Sequence, residues 1–297
     1  KNVRQFYDQV GWQLVDGELY QNAHYEDLRP VSADYIHRCH MRVKRHLAPE
    51  GRYLLDAGSG PVQYPEYLAY SEGYHKRVCM DISAVALKEA RKRLGERGMY
   101  VVGDIAHLPF KSDVFDGIVS LHTIHHVPME DKLPAYNELH RALIPGHRMV
   151  IINGWTKAPL MEAFKPFMKF IKRLHGWWQR HIKGEKPAVD RKERDIVYPN
   201  EENKTPTGTF VQKLNAEWLM DALDGKMDYE ILVWRSVSVK FLRSVIYPEW
   251  GGRFWLRVLF WFEEQFPRVL GRIGQYPLVV IKKPAAKQDG AGNSTEV

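Results

Sequence analysis

Five short apolar runs alternate with segments of helical pattern between residues 53 and 154, and this alternation limits the fold more than any other feature. The apolar runs lie at 53–55, 77–80, 100–102, 117–120 and 149–152, and the helical segments between them at 64–70, 83–95 and 131–143. Strand–helix alternation with short turns is typical of a parallel sheet covered by helices on both faces. The sequence therefore predicts a doubly wound α/β domain of the Rossmann-like type.

A turn with two glycines follows the first apolar run, in the segment LLDAGSG at 54–60. Glycines let the backbone bend sharply and let a ligand approach closely, and ligands of open α/β sheets bind at the carboxyl ends of the strands. Asp81 follows the second run, 21 residues after Gly60. An acidic residue at this distance can accept hydrogen bonds from ribose hydroxyls. Asp81 or Ser83 could also cap the next helix, and the two roles are compatible.

The turn lacks one feature of dinucleotide-binding proteins. The third glycine of their fingerprint would fall at Gln63, but residues 58–63 read GSGPVQ. A dinucleotide needs close approach of its pyrophosphate to a helix N-terminus, whereas a cofactor without phosphates does not. A nicotinamide-dependent oxidoreductase is therefore the less favoured alternative.

Two further motifs follow, VGDIAHLPF at 102–110 and VFDGIVS at 114–120. In this order and spacing, the four motifs together resemble class I S-adenosylmethionine-dependent methyltransferases. The resemblance is strongest to the small-molecule branch that includes the ubiquinone/menaquinone-biosynthesis C-methyltransferases, and it covers about residues 50–154. It implies a seven-stranded sheet whose last strand is antiparallel, with S-adenosylmethionine as the cofactor and S-adenosylhomocysteine as its product.

The resemblance also implies roles for single residues. The residues that would hold the methionine part of the cofactor are Asp56, Gly58 and Gly60. Those that would hold the ribose and the adenine are Asp81, Ile82, Asp104 and Ile105. Those that would line the cofactor near its sulfonium are Ser120, Leu121 and His122. Asp116 is expected to be structural. The sequence departs from the family at Val62, where a third glycine is common.

Three histidines, His122, His125 and His126, follow the fourth run. In the resembling family this segment faces the methyl group and the acceptor, and a histidine can orient a hydroxyl or remove its proton. His126 or His125, before His122, is the candidate base. Alternatively, the histidines pack on the cofactor without proton transfer. No metal site is predicted, because the spacing indicates no third ligand.

The sequence divides into five parts. Residues 1–50, with Phe6-Tyr7-Asp8 and Gly11-Trp12, are predicted to form an N-terminal helical lid, although ordinary helix packing would explain these aromatics equally well. Residues 51–154 are the predicted cofactor-binding core. The remaining parts are a basic helical insertion or substrate cap at 155–228, a C-terminal part at 229–283 and a disordered tail at 284–297. The C-terminal part has strands predicted at 229–239 and 276–281, with an aromatic helical insertion between them at 241–266.

Charge and aromatic residues are concentrated in the two insertions. The net charge is +7, and residues 155–197 contain eleven Lys and Arg against five Asp and Glu. Basic amphipathic segments with Trp, here 155–182 and 241–266, can contact a membrane surface or close over an apolar pocket. They can equally be a helical cap on the core. Nucleic-acid binding is disfavoured, because the basic charge is not sustained along the chain.

No apolar run approaches the ~20 residues of a membrane-spanning helix, and the two cysteines are too few for a disulfide scaffold. The expected location is the cytoplasm, with peripheral membrane contact through the insertions as an option. The predicted function is methyl transfer to oxygen or carbon of a small, apolar or lipid-like acceptor. A non-catalytic S-adenosylmethionine-binding scaffold is the alternative.

Overall fold

A computed structural model describes residues 14–15, 19–20, 26–184 and 212–285. Nine strands lie in this part of the chain: β1 (Leu14–Val15), β2 (Leu19–Tyr20), β3 (Gly51–Ala57), β4 (Tyr74–Asp81), β5 (Gly98–Val102), β6 (Phe115–Leu121), β7 (Leu143–Ile152), β8 (Asp228–Arg235) and β9 (Tyr276–Lys282). The α-helices of the described residues are α1 (Ala33–Met41), α2 (Pro65–Leu68), α3 (Ala84–Leu94), α4 (Met129–Ala142), α5 (Pro159–Trp178), α6 (Ala216–Leu223), α7 (Val239–Val245), α8 (Gly252–Gln265) and α9 (Pro267–Ile273).

Strands β3 to β9 form one seven-stranded sheet in the order β5-β4-β3-β6-β7-β9-β8. The first four pairings, from β5 to β7, are parallel, whereas β9 is antiparallel to both β7 and β8. The predicted Rossmann-like sheet with an antiparallel last strand is confirmed. All five apolar runs of the sequence lie within β3 to β7.

Each face of the sheet is covered by a separate apolar core, as expected for parallel strands buried on both sides. Successive residues of β3 show the division, because Leu54 lies in one core and Leu55 in the other. The first core contains residues of α1 and α3 together with Trp234. The second contains residues of α4, among them Tyr136.

The direction of winding reverses between the neighbouring strands β3 and β6. Tyr67 and Leu87, from the helices after β3 and β4, belong to the first core, and Leu139, from the helix after β6, belongs to the second. The chain thus leaves β3 and β6 toward opposite faces of the sheet. Such a reversal opens a crevice at the carboxyl ends of the two strands, where ligands of open α/β sheets bind.

The structure differs from the predicted elements in three places. The antiparallel pair of β1 and β2 lies in a region predicted as helices and loops. The strand predicted at 229–239 ends at Arg235, because Ser238 caps α7 by accepting a hydrogen bond from the Phe241 N–H. The aromatic segment 241–266 is two helices separated by a turn at 246–251 rather than one element.

Other predictions fall partly outside the described residues. Phe6-Tyr7-Asp8 and Gly11-Trp12 of the predicted lid lie there, as do residues 286–297 of the predicted tail and 185–211 of the basic insertion. Within the described part of that insertion, the basic amphipathic helix is α5, which continues into one π-helical turn at Gln179–Lys183.

Both insertions leave the sheet at the same edge as the crevice. The first follows the carboxyl end of β7 and the second that of β8, and these two strands point in the same direction because both are antiparallel to β9. Within the described residues, no helix is both long enough and apolar enough to cross a membrane.

Candidate active site

The glycine turn after β3 is fixed by contacts on both sides. Gly58 and Gly60 have φ angles of +76° and +54°, in the left-handed region that glycine tolerates best. The Gly58 N–H donates to the Met80 carbonyl over 2.7 Å. A Cβ atom added at Gly58 would lie 2.2 Å from the side chain of Thr123. The turn therefore has room only for a glycine between the ends of β4 and β6.

Val62 takes the left-handed conformation that a third glycine would provide. Its φ angle is +55°, which is rare for a β-branched residue, and its side chain is fully buried. Arg93 donates to the carbonyls of Val62 and Gln63 over 2.8 and 2.9 Å, and the Val62 N–H donates to the Ser59 carbonyl. Core burial and these hydrogen bonds hold the loop in shape without the glycine.

Asp81 connects the glycine turn to the end of β4. One carboxylate oxygen accepts from the Gly60 N–H and the other from the Ser83 N–H, each over 2.9 Å. Ser83, not Asp81, caps α3, since its hydroxyl accepts from the Ala86 N–H over 3.1 Å. A carboxylate oxygen can accept more than one hydrogen bond. The binding of ribose by Asp81 stays a prediction. The hydrogen bond from Gly60 gives Asp81 a second role, in holding the glycine turn.

Asp56 is paired inside the protein with Arg77 of the neighbouring strand. Arg77 donates to the Asp56 carboxylate through Nε, over 3.2 Å, and through Nη2, and it also donates to the Tyr67 carbonyl. Both side chains are buried. Sequence reasoning missed this partner, although an arginine inside an apolar run signals a buried carboxylate, because arginine is almost never fully buried unpaired. The role of Asp56 toward the methionine amino group stays a prediction.

Asp104 and its neighbours lie just after β5. The Gly103 N–H donates to the Asp81 carbonyl over 3.1 Å, so the ends of β4 and β5 meet. Asp104 is exposed and accepts from the Ala106 N–H, while Ile105 is buried and Ile82 half-buried. The structure thus brings the predicted ribose and adenine residues to one edge of the sheet.

The residues predicted to lie near the sulfonium end β6. Ser120 is fully buried, and its hydroxyl has no hydrogen-bond partner among the described residues. Leu121 and His122 are half-buried. His122 has a φ angle of +57°, and its N–H donates to the Ile152 carbonyl over 2.7 Å. The bend at His122 turns the chain away from the sheet.

The histidine segment, residues 122–127, is anchored by hydrogen bonds at three of its residues: Thr123, Ile124 and His125. The Thr123 hydroxyl donates to the Gly58 carbonyl over 3.2 Å, which joins the segment to the glycine turn. Lys132, fully buried, donates to the carbonyls of Ile124 and Gln212 over 3.0 and 2.6 Å. The Gln212 N–H donates to the His125 carbonyl over 2.8 Å. Sequence reasoning missed Lys132, for which the pattern of α4 offers no signal.

Two of the three histidines are weak bases in this environment. Burial, reinforced by the charge of Arg235, lowers the pKa of His122 from 6.5 to about 3. Burial also lowers the pKa of His125 well below its usual value, and His126 contributes to this. The rings of His125 and His126 have centroids 4.1 Å apart. His122 and His125 are therefore neutral at physiological pH and can orient a hydroxyl without readily taking its proton.

A row of aromatic rings connects His122 with Tyr64. Trp234 and Tyr276 have ring centroids 5.1 and 5.8 Å from that of His122. His40 stacks on Trp234 at 5.3 Å and meets Tyr64, four residues after Gly60, at 4.8 Å. We call these five rings the aromatic wall.

A buried ion pair lies behind the aromatic wall. The guanidinium of Arg235 lies 4.7 Å from the ring centroid of Tyr276 and is paired with the carboxylate of Glu26. Burial raises the pKa of Glu26, but the charge of Arg235 and hydrogen bonds outweigh this and hold it at about 2. The two charges compensate each other, so the ion pair adds no net charge beside the wall, in which His40 and Trp234 are almost fully buried.

The residues at the crevice fit the predicted cofactor, S-adenosylmethionine. The carboxylates of Asp81 and Asp104 can accept hydrogen bonds from ribose hydroxyls and from the adenine amino group, as the predicted roles require. The buried Ser120 hydroxyl can still make a hydrogen bond to a ligand. No group of three or more His, Cys, Asp or Glu side chains in the described ranges is arranged to hold a metal ion.

Comparisons with known proteins agree with this geometry. Residues 55–151 match a family model described as a methyltransferase domain. The chain is 31% identical over 130 residues to the "Probable tRNA methyltransferase 9B" of Bos taurus, covering 43% of this chain and 27% of that protein. It is 35% identical over 126 residues to the ubiquinone/menaquinone biosynthesis C-methyltransferase UbiE of Cereibacter sphaeroides, covering 39% of this chain and 48% of that protein.

A solved structure shares the fold. A chain of the complex between the Haloferax volcanii Trm112 methyltransferase activator and a methyltransferase superimposes with a TM-score of 0.51 at 17% identity, covering 86% of this chain and 92% of that chain. The present chain spans about a quarter to a half of the length of the two curated relatives. Residues 55–151 match a methyltransferase domain, in agreement with the predicted resemblance to S-adenosylmethionine-dependent methyltransferases.

Proposed function

We propose that this chain transfers the methyl group of S-adenosylmethionine to an oxygen or carbon atom of a small, apolar or lipid-like acceptor bound against the aromatic wall. The observation that carries the proposal is the contact between the wall and the end of β6. His122 ends that strand and meets Trp234 and Tyr276, while the adjacent Thr123 donates to Gly58 of the cofactor turn. One short segment therefore contacts both the cofactor turn and an aromatic surface.

The aromatic wall favours an acceptor with apolar or flat surface. Aromatic rings contribute large apolar area and prefer edge-to-face or offset contact with other flat groups. Arg235 is already paired with Glu26, so its charge is compensated and does not by itself favour an anionic acceptor. The UbiE relative is named for ubiquinone and menaquinone biosynthesis, in keeping with an acceptor of this class.

The protein's own residues have two tasks in this reaction. Bound S-adenosylmethionine supplies an activated methyl group, and the protein aligns the acceptor atom with it. Asp81 and Asp104 would hold the ribose and adenine, with Ile82 and Ile105 against the ring. Asp56, Gly58 and Gly60 would hold the methionine part.

His126 is the proposed base where the acceptor must lose a proton. A catalytic base works best with a pKa near the operating pH. His122 and His125 have pKa values far below that range, so we assign them to orienting the acceptor. His126 adjoins His125, with ring centroids 4.1 Å apart, and is therefore close to any acceptor that His125 orients.

Transfer of labelled methyl groups tests this proposal. The purified chain is incubated with methyl-labelled S-adenosylmethionine and a cell extract, and the lipid, nucleic-acid and polar fractions are separated. We expect label in the lipid fraction above a protein-free control. Label in RNA would contradict the acceptor class and would favour the activity for which the tRNA methyltransferase relative is named. Cofactor binding without transfer to any fraction would favour the non-catalytic scaffold.

A pair of tryptophan variants tests the role of the wall. Trp234→Leu should keep its affinity for S-adenosylmethionine and lose most methyl transfer, because Trp234 contacts His122, which we assign to the acceptor. Trp218→Leu is the control, since Trp218 of α6 packs against the second core, on the other face of the sheet from Trp234. Equal transfer by both variants would remove the wall from the acceptor site.

A further inference from the structure

Helix α5 has a second apolar face that the described residues do not bury. Met161, Met168 and His175 turn one face of the helix into the protein. A different stripe, with the helical spacing of three and four residues, lies in solvent: Phe167, Phe170, Leu174 and Trp177, which are 44%, 61%, 39% and 49% exposed. A helix that merely caps a core has one apolar stripe, so the second one requires another explanation.

Helix α8 shows the same arrangement. Leu256 and Phe260 are buried, whereas the outer side of the helix exposes four large aromatic side chains: Phe254, Trp255, Trp261 and Phe262, which are 61%, 56%, 55% and 46% exposed. Trp and Phe are the side chains that surface-bound amphipathic helices place at the boundary of headgroups and acyl chains.

Positive charge accompanies both exposed apolar faces. Residues 159–183 contain six Lys and Arg and a single acidic residue, Glu162. On α8, Arg253 and Arg257 precede the acidic residues of the helix, of which Glu263 is buried against Arg42. If two copies of the chain associated through α5, two positively charged surfaces would meet, and their repulsion disfavours such a dimer. An anionic surface with an apolar interior complements both features.

The location of the two helices relates them to the crevice. Both α5 and α8 belong to the insertions that leave the carboxyl edge of the sheet, where the glycine turn and the histidine segment also lie. A partner that binds α5 and α8 would therefore lie beside the entrance to the crevice.

We propose that the exposed faces of α5 and α8 dock this chain on anionic lipid bilayers. The aromatic side chains enter the interface, and Lys169 and Arg173 meet the lipid phosphates. Docking on a bilayer does not depend on which acceptor the protein methylates.

Sedimentation with lipid vesicles tests the proposal. The full chain is mixed with phosphatidylcholine vesicles, with and without phosphatidylglycerol, and the pelleted fraction is measured. We expect binding to the anionic vesicles that weakens as salt is raised. No binding to either kind of vesicle would overturn the proposal. Binding of tRNA in place of vesicles, or dimer formation that Phe170→Ser abolishes, would assign the surface to a different partner.

Matched variants locate the bound surface. Lys169→Glu/Arg173→Glu should lower the affinity for anionic vesicles roughly tenfold or more. The control is Lys88→Glu/Arg91→Glu on α3, which makes the same charge change elsewhere. Phe170→Ser/Trp177→Ser should also lose binding, and Met99→Ser, at a side chain with 46% exposure on β5, should not. Equal effects of the test and control variants would contradict the assignment. Unchanged affinity for S-adenosylmethionine confirms that each variant is folded.

Discussion

Glu26 and Arg235 form an ion pair across 209 residues of the chain, and both side chains are almost fully buried. Removing one partner of a buried pair leaves an uncompensated charge that water cannot reach. We therefore expect Glu26→Gln to lower the free energy of unfolding by about 3–5 kcal/mol, as measured by urea denaturation.

The double variant Glu26→Gln/Arg235→Met is the control for this prediction. It removes both charges, so it should be more stable than Glu26→Gln alone, because hydrophobic replacement of a whole buried pair is often neutral. A single variant as stable as the parent chain would show that the pair makes no net contribution.

Gly58 combines a left-handed backbone with a close neighbour, and the two effects can be separated. Gly58→Ala would add the left-handed cost of roughly 1–2 kcal/mol and a contact of 2.2 Å with Thr123. Gly146→Ala, at a φ angle of +86° with no atom within 4 Å, would add the backbone cost alone. We expect both variants to be destabilised, but only Gly58→Ala to lose S-adenosylmethionine binding in calorimetry. Equal binding by the two would contradict the packing of the turn against Thr123.

Single residues were predictable from the sequence where local spacing determines their position. Asp81 could be located because it ends a strand at a fixed distance from Gly60. The pairing of Asp56 with Arg77 depends on the register of β3 and β4, in which Asp56 lies beside Cys79, and no local pattern encodes that register. The left-handed conformation of Val62 was not predictable either, because it is stabilised by Arg93 and by burial.

At the scale of the elements, one buried side chain, Lys132, helps to anchor the histidine segment. Lys132 joins Ile124 to Gln212 through two hydrogen bonds from a buried ammonium group. Lys132→Met keeps the apolar stem and removes both bonds, each worth about 1.5–3 kcal/mol for a charged donor. We expect faster amide hydrogen exchange in residues 122–127, with β3 unaffected.

The exposed Lys88 of α3 provides the comparison for Lys132. Lys88→Met should leave hydrogen exchange in the histidine segment unchanged. If residues 122–127 exchange as slowly in Lys132→Met as in the parent chain, then Thr123 and Gln212 suffice as anchors of the segment.

Elements were predictable where periodicity and burial agree. The strands β3 to β7 are apolar on both faces, so their sequence contrasts strongly with the polar turns around them. The strand predicted at 229–239 is present as β8, but its predicted end was wrong, because the apolar pattern continues through Val237, which is buried in the turn, to Val239, which begins α7. Periodicity alone cannot show where a buried segment stops being a strand.

At the scale of the whole molecule, the sheet topology brings together candidate site residues that lie far apart in the sequence. The glycine turn, the carboxylates after β4 and β5, the histidine segment and the two insertions all follow the carboxyl ends of strands. Sequence motifs identified the first three, because the family resemblance covers that part of the chain. The aromatic wall was not predicted, since Tyr64, Trp234 and Tyr276 lie far apart and meet only through the order β3-β6-β7-β9-β8.

Acid should destabilise the whole molecule in two stages. His122 has a pKa of about 3 in the folded chain and an ordinary value of 6.5, so below pH ~6.5 the unfolded chain takes up a proton that the folded chain refuses. Glu26, with a folded pKa of about 2, adds a second loss as the pH falls below its ordinary value of 4.5. Each group makes the free energy of unfolding decrease by at most about 1.4 kcal/mol per pH unit.

Urea denaturation between pH 8 and pH 4 measures the first stage. Stability should fall as the pH drops below ~6.5, where only histidines titrate. His122→Gln cannot take up the proton, so its stability should fall less steeply between pH 6.5 and 4.5, whereas His75→Gln, at an exposed site on β4, should follow the parent chain. If His122→Gln and the parent chain show the same dependence on pH, then His122 is protonated in the folded protein as readily as in the unfolded one, and its assignment as a neutral group beside the acceptor is wrong.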